Sequence, residues 1–149
     1  MSSPEGATAF LDADLRDTDR ILKLAAGTLD FTQPVAIMLL AILHYIPDLD
    51  QARRIVARLV SAVPSGSYVT ISHAASDISP EEMAEMIRRM NEHLAEGNHV
   101  GRPREVVARF FDGLDLAEPG VVKVSEWRPA SELEAKAATS LWGGVGRKP

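Results

Sequence analysis

Three places in the chain set polar side chains directly after a short apolar run, and these are where its chemistry is expected. Asp12 and Asp14 follow Thr8-Ala9-Phe10-Leu11, His44 follows the run at residues 35–43, and Ser72-His73 closes the run that opens at Tyr68. If each run is a strand of an open α/β sheet, the polar groups gather outside the strands' carboxyl ends, where such sheets bind ligands. A carboxylate there accepts hydrogen bonds from an amino group or a ribose, and a leucine beside it packs on a flat base. Asp17 stands directly ahead of a helix and is the better cap, which leaves Asp14 for a ligand and gives Asp12 a structural part.

His44 and His73 form a candidate acid/base pair, because imidazole titrates near neutral pH. The competing reading for each is a hydrogen-bonded wall residue. No G-x-S-x-G elbow or Ser-His-Asp order points to a hydrolase. His93 and His99, in or beyond a helix end, are expected at the surface. The 4 histidines lack the i, i+3 or i, i+4 pairing of a metal site, so no metal is expected. Met83, Met86 and Met90 share a helix face and either line an adaptable pocket or pack in the core; core packing is the reading adopted. Gly143-Gly144-Val145-Gly146 looks like part of a phosphate loop, but no helix follows to supply the anion-binding N-terminus, so that reading is rejected.

The elements that must position these groups alternate in type. Residues 8–11 read as a strand entering an acidic loop, and residues 18–26 as a helix stopped by Gly27. Residues 35–40 are apolar on both faces, the mark of a central parallel strand covered by helices on each side. Ala52, Ile55, Val56, Leu59, Val60 and Val63 trace one helical face, ended by Pro64-Ser65-Gly66. Residues 68–72 form the next strand. Ser79-Pro80-Glu81-Glu82 is a capping box that launches a helix bearing the methionines, Ile87 and Leu94. A loop rich in Gly, Asn and His leads to a short helix at 103–112. Strand candidates at 121–127 and 140–145, with a polar and loosely helical connection at 130–138, suggest an antiparallel finish. The class is α/β with a mostly parallel sheet.

With 149 residues the chain makes one domain with a real core. A net charge of −5, and arginine pairs Arg53-Arg54 and Arg88-Arg89 that read as solvated helix faces, draw it to neither nucleic acid nor anionic lipid. The absence of cysteine excludes disulfides and thiolate chemistry. The longest apolar stretch, residues 35–43, is far short of the ~20 residues that cross a bilayer. Residues 1–9 lack the basic start and apolar run of a signal peptide. A cytoplasmic address is expected.

The pieces Phe10-Leu11-Asp12-Ala13-Asp14-Leu15-Arg16-Asp17, Leu43-His44-Tyr45-Ile46-Pro47, Pro64-Ser65-Gly66-Ser67-Tyr68 and Ser72-His73-Ala74 are joined by others towards the C-terminus. These are Phe110-Phe111-Asp112-Gly113-Leu114-Asp115-Leu116, Glu118-Pro119-Gly120-Val121-Val122, Trp127-Arg128-Pro129 and Gly143-Gly144-Val145-Gly146. In this order and spacing they resemble a bacterial family of class I S-adenosylmethionine-dependent methyltransferases whose acceptors are mostly unassigned. The resemblance implies a Rossmann-like sheet with helices on both faces and a C-terminal antiparallel pair containing Trp127 and Trp142. It implies S-adenosylmethionine as cofactor, with Asp14 and Leu15 against the adenine and Leu40, Ala41 and His44 beside the methionine portion. It also sets Ser72 and His73 near the methyl acceptor.

By the same resemblance residues 8–11 are the third strand of a seven-stranded sheet. The Gly-rich loop and the ribose-holding Asp of the family come before Met1, so the chain is expected to be an N-terminally truncated domain spanning residues 1–149. Two strands would then be missing between residues 8–11 and 35–40. Either those segments pair directly through the crossover helix, or an apolar edge is left for a second chain to cover, and self-association is expected. The functional expectation is methyl transfer to a small-molecule acceptor. The alternative is a non-catalytic methyltransferase-like module acting by binding or oligomerisation.

Overall fold

The computed structural model describes residues 8–93 (residue 93 by its backbone alone) and 99–149. The opening residues 1–7, the His93 side chain, Leu94 and the Gly-Asn stretch after it lie outside this description. Strand β1 (Ala36–Leu40) follows helix α1 (Thr18–Ala25), and α2 (Leu49–Ser61) leads to β2 (Tyr68–Ala74). Helices α3 (Pro80–His93) and α4 (Arg104–Ala108) precede the short strands β3 (Asp115–Leu116) and β4 (Val122–Lys123), a one-turn α5 (Glu132–Ala135) and β5 (Leu141–Arg147).

Local chemistry sets the helix starts. The Asp17 carboxylate accepts the Arg20 N–H at 3.3 Å, and the Asp48 carboxylate accepts the Gln51 N–H at 2.6 Å. These bonds satisfy amide donors that the first turn of a helix leaves free. Helix α3 opens at Pro80 as expected, although Ser79 before it takes a left-handed conformation (φ +47°) instead of the usual extended one. Ala52, Ile55, Val56 and Leu59 are buried on one face of α2. Covering the larger three, Ile55, Val56 and Leu59, stabilises the fold by about 2 kcal/mol apiece.

The sheet order is β1-β2-β5-β3, with β4 also paired to β5. Strands β1 and β2 run parallel from Ala36 opposite Tyr68 to Leu40 opposite Ser72, whereas β5 runs antiparallel to β2, β3 and β4. The fold is thus α/β with a mixed sheet: parallel at the start, antiparallel at the finish. Leu39, Val69 and Ile71 turn one face of it into a core with α2, Phe110, Phe111 and Val121. Among the described residues no helix is long and apolar enough to cross a membrane.

Several expectations need correcting. Residues 8–11 form no strand, and Phe10 is 92% exposed, because no strand pairs with them. Strand β1 is an edge strand. Its inner residues are covered, but Met38 (62% exposed) and Leu40 (51%) face outward, so helical cover on the second face is only partial. The direct pairing of residues 8–11 with β1 does not occur. The helix at 103–112 breaks after Ala108 into a 3₁₀ turn, and the strand at 121–127 shortens to β4 followed by another 3₁₀ turn.

The glycine run lies within β5 and serves packing. A Cβ on Gly144 would meet the Phe111 ring at 3.1 Å, and one on Gly146 would meet Phe111 at 2.9 Å and Leu114 at 3.0 Å. Only glycine leaves room for the Phe111 ring at these two positions of the strand.

Candidate functional site

The site is built where β1 and β2 end. After Leu40 the chain turns at Ala41, a left-handed residue (φ +49°) in a conformation that costs a non-glycine residue roughly 1 kcal/mol. Ser72, opposite Leu40 in the sheet, holds that turn. The Ala41 N–H donates to the Ser72 hydroxyl at 3.0 Å and to its carbonyl at 3.2 Å. A 3₁₀ turn, Leu43–Tyr45, then buries Leu43 and His44 and leaves Tyr45 partly exposed.

His73 and His44 do come together, with ring centroids 6.0 Å apart at nearly a right angle. Their surroundings differ. His73 is fully buried, with Nδ1 2.9 Å from the Ala74 carbonyl and Nε2 2.6 Å from an Arg102 Nη. The carbonyl accepts and the guanidinium donates, so His73 is a neutral ring with Nδ1–H, and neither ring nitrogen is left for a substrate. Burial first, then the Arg102 and His44 charges, push its pKa down to about 4 against one opposing bond to Ala74. His44 is held below its ordinary value by burial, His99 and Arg102, so it too is neutral near pH 7. Its Nδ1 is buried and has no hydrogen-bond partner within the protein.

Arg102 organises this corner and was not singled out in the sequence. The segment carrying it runs beside the end of β2: the Val100 N–H donates to the His44 carbonyl at 3.0 Å, and the Arg102 N–H to the Ala74 carbonyl at 2.9 Å. The guanidinium is 5% exposed and donates to the carbonyls of Leu43 (3.2 Å), Ile46 (2.7 Å) and Pro47 (3.1 Å) as well as to His73. A planar fork of five N–H groups is the side chain able to serve four acceptors at once. The one available signal was a cation set between Gly101 and Pro103, where the chain is neither helix nor strand.

His99 is the second omission. The expectation of a surface residue is wrong: His99 is 4% exposed. Its backbone N–H donates to the Asn91 Oδ1 at 2.7 Å, and its Nδ1 lies 3.3 Å from the same oxygen. Nδ1 therefore carries a proton towards Asn91, and Nε2 is buried without a partner. The rings of Tyr45 and His44 lie 4.1 and 5.2 Å from it. His44, His99, Met83, Met86 and Met90 line one cavity of about 240 Å³. Of the methionine stripe only Met83 is buried; Met86 is 44% exposed. A larger groove of about 550 Å³ runs along α2 and includes none of the strand-end residues.

The acidic loop sits against the same corner. The Arg16 guanidinium donates to the Tyr45 carbonyl at 3.2 Å and to the Asp14 carboxylate at 3.1 and 3.3 Å. Asp14 also accepts the Arg16 N–H at 2.8 Å, the main reason its carboxyl is held below the usual range. Leu15 packs on the core, and its carbonyl accepts the Thr18 hydroxyl. Among the described residues no cluster of His, Asp or Glu is arranged to hold a metal ion.

The mixed sheet, whose parallel strand ends gather an acidic loop and two histidines, has a Rossmann-like fold. An O-methyltransferase family protein from Burkholderia thailandensis shares this fold at 17% identity (TM-score 0.58, over 94% of this chain and 35% of that one). The chain belongs to the S-adenosyl methyltransferase family, whose model matches residues 1–149, and S-adenosylmethionine is the family's cofactor. A DUF574 family protein from Streptomyces avermitilis is 36% identical with a TM-score of 0.84, over 93% of this chain and 54% of that one. A proposed methyltransferase from Thermobifida fusca is 32% identical with a TM-score of 0.80, over 91% and 52%. The chain thus spans about half the length of these two structures. No curated protein matches its sequence.

Proposed function

We propose that this chain takes part in S-adenosylmethionine-dependent methyl transfer to a small-molecule acceptor. The observation that carries the reading is the tie from Arg16 to the Tyr45 carbonyl, which makes the acidic loop contiguous with the end of β1. Five residues expected around the donor then border one corner. Asp14 is ionised and suits an adenine amino group, with Leu15 beside it. Leu40, Ala41 and His44 border the methionine portion. When bound, the donor supplies a methyl group on a sulfonium that is already a good leaving group. What the chain must add is placement. His73, committed at both nitrogens, positions the corner through Arg102, and His44 is the histidine left to meet the acceptor. The same reading proposes a cytoplasmic protein.

Calorimetric titration with S-adenosylhomocysteine tests this directly. Micromolar binding, weakened several-fold by Asp14→Asn, supports the donor site. A folded sample that binds none would favour the second reading, a methyltransferase-like module acting by binding or oligomerisation. That reading draws on the bare β1 edge, where Met38 and Leu40 are exposed.

A further inference from the structure

We infer that Ser72 is a positioning residue of the donor corner: its hydroxyl clamps the turn at Ala41 and so fixes where the end of β1 presents its groups. The inference rests on the methyl-transfer reading above and adds to it the side chain that sets the corner's shape. Three observations carry it. The first is the outlier itself. Ala41 is left-handed (φ +49°), although glycine is the residue that takes this conformation without strain. Strain of this kind persists only where the surroundings over-determine it, and it gathers at sites of function.

The second observation is the clamp. One Ala41 N–H is shared between the Ser72 carbonyl, at 3.2 Å, and the Ser72 hydroxyl, at 3.0 Å. The carbonyl bond continues the β1–β2 ladder by one step, and any residue there supplies it; the hydroxyl bond belongs to the serine side chain. The third is the path beyond the turn. Ala41 directs the chain into the 3₁₀ turn Leu43–Tyr45, which buries His44 and brings the Tyr45 carbonyl to Arg16, whose guanidinium also holds Asp14. Through one residue Ser72 thus governs the groups expected beside the donor's methionine portion and their tie to the acidic loop. Alternation along β2 gives this part to the serine and not to the histidine after it. His73 points into the buried corner with Arg102, whereas Ser72 points to the other sheet face, between Leu40 and Gly143. Leu40 is 51% exposed and Gly143 has no side chain, so the hydroxyl can be altered there without disturbing the core.

The readouts are S-adenosylhomocysteine affinity by calorimetry, exchange of the Ala41 amide hydrogen by NMR on protein with nitrogen-labelled alanine, and the urea midpoint. Ser72→Ala should weaken S-adenosylhomocysteine about fivefold, the factor by which a left-handed alanine is disfavoured, and should speed exchange of the Ala41 amide. The urea midpoint should hardly move, because the lost bond and the released strain offset each other. Ser72→Thr keeps the hydroxyl and should restore both affinity and protection. With Ala41→Gly the left-handed turn needs no clamp, so adding Ser72→Ala should then weaken binding by less than about twofold. Unchanged affinity in Ser72→Ala, no recovery in Ser72→Thr, or an equal loss with and without Ala41→Gly would each overturn the inference. Failure of the methyl-transfer reading has a different pattern: the unsubstituted chain binds no S-adenosylhomocysteine, while the Ala41 amide still exchanges faster in Ser72→Ala. That result would remove the donor role and leave only the clamp.

Discussion

Replacing Arg102 by methionine removes the clip that holds the corner of the site, and the cost follows from what is left behind. The guanidinium serves four acceptors: the carbonyls of Leu43, Ile46 and Pro47 and the Nε2 of His73. Pro47 is exposed and its carbonyl can turn to water. Leu43, Ile46 and His73 are at most 2% exposed, but the Leu43 carbonyl keeps the Ile46 N–H at 3.1 Å, so two acceptors, the Ile46 carbonyl and His73 Nε2, stay buried and unpaired. An unsatisfied buried polar group costs about 1–3 kcal/mol. Against this, removing a buried cation relieves its own desolvation, so the low end of the range applies and the net loss is about 2 kcal/mol. For a chain of this size that lowers Tm by roughly 4–8 °C. Arg102→Lys keeps the charge, but its ammonium cannot span the fork, so about half of the loss should remain.

Urea unfolding at pH 7 measures the stability, and NMR titration of the His73 ring adds a readout that general loosening would not mimic. Burial and then the Arg102 charge hold His73 at about 4, so Arg102→Met should raise that value. A loss below about 1 kcal/mol, or a His73 titration unchanged by the substitution, would refute the argument that the guanidinium is the organising group.

Acidification should weaken the fold through its buried histidines. His73 has a folded pKa of about 4 against an ordinary value of 6.5, so between them the unfolded chain holds the extra proton; stability is full above 6.5 and falls as pH drops towards 4. Integrated from pH 7.5 to 5.0 the loss is about 2 kcal/mol, with His44 adding in the same direction, and urea midpoints unchanged over this window would contradict it. Gly146→Ala forces a methyl to within 2.9 Å of Phe111 and 3.0 Å of the Leu114 Cβ, which should destabilise by about 1–3 kcal/mol in thermal unfolding. Phe111→Leu in the same chain should return part of that loss, and an unaltered Tm for Gly146→Ala would show that β5 has slack there.

What the sequence made legible was local. The face of α2 announces itself because Ala52, Ile55, Val56 and Leu59 recur at helical spacing, and Asp17 because a cap needs only its own helix. The strand ends carrying His44 and His73 were legible for the same reason. Residues 8–11 were not, since an apolar tetrapeptide becomes a strand only if another strand pairs with it, and that is a non-local condition. Arg102 and His99 escaped because their residue types are usually solvated. Their burial depends on a segment after α3 laying itself along the end of β2, with the bridge between Ala75 and Arg102 fixing it there. The glycines of β5 resemble a phosphate cradle, a reading rejected because no helix follows, and the Phe111 ring beside Gly144 and Gly146 gives the packing reason for two of them.

The β1 edge ties together the two functional readings, and one experiment separates them. Met38 and Leu40 present an apolar face next to backbone groups that no strand pairs among the described residues, which is a template for another strand. Leu40 and Ala41 also border the proposed donor corner, so a second chain seated on β1 closes the donor's surroundings as well as the edge. Donor binding and self-association are then thermodynamically linked, and each must strengthen the other by the same factor. Light scattering at micromolar concentration should show association, and Met38→Lys should shift it towards monomer. If the linkage holds, S-adenosylhomocysteine affinity rises with protein concentration in the unsubstituted chain and is lower but concentration-independent in Met38→Lys. Affinity that is the same in both proteins at every concentration would mean that the edge and the donor corner are independent. A stable monomer at micromolar concentration would remove the oligomer from either reading.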